Sequence, residues 1–186
     1  MEYITNMADV LHPEFFLAFD NGTSANGVAL LGPNLIEYVT LPIRSELSYT
    51  KEEHHITRID APKLEQQILK WKLDPAKTLV LMERPMINPT RFRASISAVR
   101  CLEAELIVIE KFGLKIEYVD SKQWQRILLP EIEGSTEVKK ASLELGKKLF
   151  PNLKLKKDAD SLLIAYWAKN RSTLEIPKPP KPKKTL

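Results

Sequence analysis

Phe15-Phe16-Leu17-Ala18-Phe19-Asp20-Asn21-Gly22-Thr23-Ser24-Ala25-Asn26-Gly27-Val28-Ala29-Leu30 contains two apolar runs joined by a polar stretch with a glycine at each end. Two short apolar runs around a glycine-bearing turn predict a β-hairpin, with Gly22 and Gly27 supplying the turn. The first run ends on a carboxylate, Asp20. Buried strands rarely end this way without compensation, because an unpaired buried charge is costly. The pattern recurs at Thr78-Leu79-Val80-Leu81-Met82-Glu83, a continuous apolar run of the kind buried on both faces of a sheet. A third acid, Asp160, opens an apolar helical pattern in Lys157-Asp158-Ala159-Asp160-Ser161-Leu162-Leu163-Ile164-Ala165-Tyr166. A shared hard cation would explain all three, and Mg²⁺ prefers oxygen ligands while keeping several waters. Two plainer explanations stay open. Asp20 can bond its own turn, and Glu83 can pair with Arg84 or Arg91.

Outward from these runs, residues 15–20, 27–31 and 35–41 read as three strands. The polar stretch 44–58 reads as a loop with a short helix. Residues 62–71 carry Leu64, Ile68 and Trp71 at helical spacing, with Pro62 near the first turn. Strand 78–83 precedes the longest helical pattern, 90–112, in which Ile96, Val99, Leu102, Leu106, Ile109 and Phe112 recur every three or four residues. A strand at 115–119 follows. Helices are expected at 121–128 and 136–150, and a last one capped by Asp158 and running to about residue 170. The order β-β-β-α-β-α-β-α-α-α predicts a mixed α/β sheet with helices on both faces, whose ligands gather at strand ends and helix termini. Residues 1–13 read as a flexible leader and 14–172 as one domain. Residues 173–186 read as a flexible tail, in which 177–186 holds four Pro and four Lys.

Composition narrows the function. No apolar run reaches membrane-spanning length, and the N-terminal residues lack the basic start and apolar core of a signal peptide. One cysteine, Cys101, forms no internal disulfide; read as a small buried hydrophobe, it fits a reducing, cytoplasmic setting. His12, His54 and His55 show no zinc spacing and read as surface residues. The net charge of +4 is unevenly spread: residues 1–83 hold 12 acidic and 7 basic residues, whereas 84–157 hold 15 basic and 9 acidic. That asymmetry favours a polyanionic partner, with nucleic acid first, although solvated helix faces give the same count. The basic tail is either a weak phosphate-binding arm or a solubilising one.

Taken together, the acidic strand end with its glycine-containing turn, the second strand ending in Glu83, and the Asp-bearing helix continuing Asp-Ser-Leu-Leu-Ile-Ala resemble RuvC-type Holliday junction resolvases of the ribonuclease H-like superfamily. The phage, poxvirus and organellar members are the nearest in character. Val119-Asp120-Ser121-Lys122-Gln123-Trp124-Gln125 resembles the segment that carries a lysine near the metals. Lys139-Lys140-Ala141-Ser142 with Lys148-Leu149-Phe150-Pro151 resembles the helix and stop before the last acidic motif. The resemblance covers roughly residues 15–169 and implies a ribonuclease H-like mixed five-stranded sheet flanked by helices on both faces.

It further implies that Asp20, Glu83 and Asp160 are metal ligands for two Mg²⁺ ions about 4 Å apart, with Mn²⁺ as a possible substitute. Lys122 would contact the scissile phosphate, unless it is simply a surface lysine. Bacterial resolvases place two acids three positions apart; here Lys157 holds that position and Asp158 lies two before Asp160. Asp158 is therefore either a fourth ligand or a plain helix cap. Arg84, Arg91, Arg93, Lys154, Lys156 and Lys157 are candidate contacts to the DNA backbone. The implied partner is branched DNA, a four-way junction read largely by shape. Cutting two opposed strands implies a homodimer, with helix 90–112 as its interface or merely part of the core.

Other functions compete. Asp20-Asn21-Gly22-Thr23-Ser24 looks like the first phosphate loop of actin-like ATPases and sugar kinases, but those need two such domains and 186 residues are too few. A noncatalytic junction-binding protein would bind phosphate better without the acids. A related nuclease acting on RNA or other branched DNA would share the chemistry and differ only in substrate.

Overall fold

The computed structural model describes residues 12–21, 27–49, 51 and 54–174. Gly22 of the expected turn, most of the expected leader and nearly all of the expected tail lie outside those residues. Among the described residues, seven strands form: β1 (Phe15–Phe19), β2 (Gly27–Leu31), β3 (Ile36–Thr40), β4 (Ile43–Leu47), β5 (His55–Ile59), β6 (Thr78–Glu83) and β7 (Lys115–Val119). Five helices accompany them: α1 (Ala61–Trp71), α2 (Phe92–Lys111), α3 (Ser121–Leu128), α4 (Ser135–Leu149) and α5 (Asp160–Asn170). The main sheet has the order β3-β2-β1-β6-β7. β1 pairs antiparallel with β2 and parallel with β6, and β6 pairs parallel with β7.

Alternation along the strands divides the core in two. Phe16 and Ala18 of β1, with Leu79 and Leu81 of β6, face Trp124 of α3 and Leu162, Leu163 and Ala165 of α5. Leu17 and Phe19, with Val80 and Met82, face Leu64 and Ile68 of α1 and Cys101, Val108 and Ile109 of α2. Helices therefore cover both faces, which is why β2 and β6 are apolar almost throughout. Among the described residues, no helix is long and apolar enough to cross a membrane.

Three details differ from the sequence reading. The described residues of the stretch 44–58 hold no helix; β4 and β5 pair there as a separate two-stranded sheet. Only Ile56 and Ile59 of that hairpin are buried, so the apolar alternation that marks a strand is missing. Instead, Glu46 pairs with Arg44 along β4 and with Arg58 across the hairpin. Second, α2 turns a different face inward. Ser95, Cys101, Glu105, Val108 and Ile109 are buried, while Ile96 and Val99 are about 40% exposed. A helix with apolar residues on most sides does not announce which side packs. Glu105 is fully buried with no partner for either oxygen among the described residues, and burial raises its pKa well above its ordinary value. Third, Gly27, read as one end of the turn, has a task inside the sheet as the first residue of β2. A Cβ there would sit 2.2 Å from the ring of Tyr38 on β3, so the glycine answers a side chain lying across it.

Candidate metal centre

The parallel pairing of β1 with β6 runs in register to Phe19↔Met82, so the residues that follow, Asp20 and Glu83, leave the same edge of the sheet side by side. Asn21 ties the two strand ends together, its side-chain amide donating to the Glu83 carbonyl. α5 packs on β1 and β2 and brings its first turn to this edge. Helix α4 pins the approach: at Gly146 a Cβ would lie 2.5 Å from the Ala159 side chain, so only glycine lets α4 sit against the start of α5.

Three of the acids meet. Asp20, Asp158 and Asp160 each offer an oxygen within 4.8 Å of the other two. Glu83 joins through Asp20, with which it shares a side-chain hydrogen bond, and accepts from the indole N–H of Trp124 at 3.3 Å. Burial, then repulsion from Asp158, Asp160 and Glu83, raises the Asp20 pKa well above its ordinary value. Burial also raises Glu83, against the lowering effect of the Trp124 N–H. Asp160 is pushed up to about 6 by burial and by Asp158, partly opposed by the Ser142 hydroxyl and by Lys139. Asp158 is raised by burial, with hydrogen bonds from the Asp160 N–H and the Tyr38 hydroxyl opposing.

The donor set fits a hard divalent ion. It is all oxygen, and four acids share a small volume that holds them together as anions only with positive charge supplied. Beside Asp20, the buried Asn21 Oδ1 has no hydrogen-bond partner among the described residues. The spacing of Asp158 and Asp160 follows from a backbone that is not yet helical. Ala159 is the backbone N-cap, Asp160 begins α5, and Asp158 Oδ1 accepts from the Asp160 N–H at 3.0 Å. Asp158, expected as the N-cap, instead lies one residue before it, where its side chain takes the first helical N–H and joins the cluster. Glu83 contacts Asp20 and Trp124, while Arg84 pairs with Asp120 at 3.1 Å; the turn that Asp20 could bond lies outside the described residues.

The basic candidates are spread more widely. Lys122 is exposed in the first turn of α3, and Arg84, Arg91, Arg93, Lys154, Lys156 and Lys157 are all exposed. The lysine whose charge acts on Asp158 and Asp160 is Lys139 of α4. Ser142, one turn further along α4, donates to Asp160. Both lie in the Lys139-Lys140-Ala141-Ser142 motif, whose i, i+3 spacing puts them on one helix face. Tyr38 carried no sequence signal.

No known family profile matches the sequence, and no curated protein is similar to it in sequence. Solved structures are informative about the fold. Thermus thermophilus RuvC superposes with a TM-score of 0.51 at 13% identity, covering 87% of this chain and 98% of that one. The T. thermophilus RuvC complex with a Holliday junction substrate gives 0.51 at 12% identity, covering 83% and 94%. The fowlpox virus resolvase, solved with substrate Holliday junction DNA, superposes more loosely, at 0.44 and 9% identity. The chain therefore has the ribonuclease H-like fold of RuvC, with a mixed five-stranded sheet and helices on both faces.

Proposed function

We propose that the protein is a divalent-metal-dependent endonuclease that resolves four-way DNA junctions as a homodimer. The observation that carries this reading is the convergence of Asp20, Asp158 and Asp160, with Glu83 against Asp20, at one edge of a ribonuclease H-like sheet. These four side chains would hold two Mg²⁺ ions, with Mn²⁺ as a substitute. When bound, the ions supply an activated water and charge stabilisation for the leaving oxyanion. Asp20, at the centre of the cluster, is best placed to be shared between them. Trp124 and Ser142 orient Glu83 and Asp160, and Lys139 offsets part of the negative charge. Lys122 would meet the scissile phosphate. Arg84, Arg91, Arg93, Lys154, Lys156 and Lys157 would hold the DNA backbone without reading sequence.

Support for the dimer comes from the outer face of α2. Phe92 is 68% exposed and Ile107 61%, and Ile96 and Val99 continue the same strip. A strip of this kind is covered in a helix-to-helix contact.

The test is incubation with a synthetic four-way junction, a matched duplex and an RNA hairpin, with and without Mg²⁺. Paired nicks in the junction alone, only with metal, are expected. Cleavage of the hairpin instead would move the assignment to RNA, and junction binding without any cleavage would make the protein a noncatalytic binder.

Metal affinity should depend on pH in a defined direction. Ligation requires deprotonated carboxylates, and all four are harder to deprotonate than usual, with Asp160 near 6. Mg²⁺ binding is thus expected to strengthen from pH 5.5 to 8 and to release more protons at the acid end, measurable by calorimetry in buffers of different ionisation enthalpy. The metal-free fold shows the opposite trend. Its acids favour the protonated form, so their contribution is complete below the ordinary carboxylate pKa and is lost as pH rises through the raised values. Pre-loading with Mg²⁺ should remove that loss.

A further inference from the structure

We propose that Tyr38 is a positioning residue for Asp158, holding this off-spaced acid in the metal cluster. The inference rests on the metal-dependent reading above and names how its least regular ligand is placed. Asp158 precedes α5, where no helix geometry aims its side chain. Hydrogen bonds do so instead, one of them from the backbone of Ala159. Its Oδ1 accepts from the Asp160 N–H at 3.0 Å. Its Oδ2 lies 3.3 Å from the Tyr38 hydroxyl, which is also 3.4 Å from the Asp158 carbonyl oxygen. The hydroxyl is shared between side chain and backbone of one residue, so each bond is long, but together they restrict both. A carboxylate has about four acceptor positions, so with donors from Asp160, Ala159 and Tyr38 about one remains for a cation.

Tyr38 is held for this task from below. Its ring packs against the first core and lies over Gly27, where any Cβ would come within 2.6 Å of the hydroxyl oxygen and closer still to the ring. Strands β2 and β3 thereby form a platform, and the hydroxyl links the sheet edge to the start of α5, 120 residues away in sequence. The bacterial three-residue spacing uses a helical turn to align its acids; here a phenol from the sheet substitutes for that turn.

Tyr38→Phe keeps the ring and removes only the hydroxyl. The Mg²⁺ concentration giving half-maximal junction cleavage is expected to rise about tenfold, at the low end of what partners of metal ligands contribute. The rate at saturating Mg²⁺ should approach that of the native protein, and the metal-free melting temperature should hold. Gly27→Ala displaces the same ring and should shift the Mg²⁺ curve in the same direction. The double variant should be no worse than Gly27→Ala alone, because both act through one hydroxyl. A Tyr38→Phe curve that overlays the native one would overturn the positioning role and leave the nuclease reading standing. Native protein that binds no Mg²⁺ in calorimetry would overturn the nuclease reading itself, before any variant is compared.

Discussion

Asp20→Asn is expected to slow junction cleavage by at least about a thousandfold, equivalent to about 4 kcal/mol of transition-state stabilisation. Asp20 is the acid that touches the rest: it lies with Asp158 and Asp160 in one group and shares a hydrogen bond with Glu83. An amide keeps the shape and one oxygen but loses the charge, and a neutral oxygen is a poor substitute where a hard cation must shed water. Junction binding should persist, because the exposed arginines and lysines are untouched. The same substitution should raise the melting temperature of the metal-free protein. Desolvation and repulsion from three neighbouring acids act on Asp20, and the amide relieves both. Each kcal/mol of relief corresponds to about 2–4 °C in a domain of this size. Opposite signs for stability and activity separate a functional acid from a structural one. Full cleavage by the variant would remove Asp20 from the ligand set, and a lower melting point without metal would make it a structural residue.

The contrast between strand ends and strand edges explains what the sequence could show. Asp20 and Glu83 were legible because each terminates an apolar run, where a carboxylate demands a cause. The parallel register that sets them side by side was not; it depends on α1 and the hairpin closing the connection between β1 and β6. The hairpin itself escaped because its pairing rests on backbone hydrogen bonds and ion pairs, with Ile56 and Ile59 its only buried side chains. Asp158 illustrates a deeper limit. Helical periodicity describes residues within a helix, and this acid stands just outside one, where its direction depends on Tyr38 from a distant strand. Lys139 and Ser142 were visible as a motif, yet a spacing pattern alone assigns them no role. That Lys139 acts on the aspartates follows from how closely α4 packs against Ala159.

Trp124→Ala is expected to cost about 3–5 kcal/mol of stability, the usual range for emptying a buried aromatic site. Trp124 is fully buried between the sheet and α5, in the core that also carries Phe16, Leu81 and Leu162. Domains of this size are stable by about 5–15 kcal/mol, so the loss is a large share of the whole and should appear as a strongly lowered denaturation midpoint. The residue also reaches the site, because its indole N–H is 3.3 Å from Glu83 Oε1 and favours the ionised carboxylate. Trp124→Phe separates the two roles. It retains most of the apolar contact, so the fold should survive with a smaller loss. It leaves Glu83 without that donor, with its burial opposed only by the hydrogen bond with Asp20, so Glu83 becomes harder to deprotonate. Cleavage by this variant should therefore be slower than native at pH 6.5 and recover toward the native rate at pH 8.5, at fixed Mg²⁺. A variant that melts lower but follows the native pH profile would confine Trp124 to packing. If the profile shifts as expected, the Val119–Gln125 segment serves the metal centre through its buried tryptophan as well as through any contact that Lys122 makes with DNA.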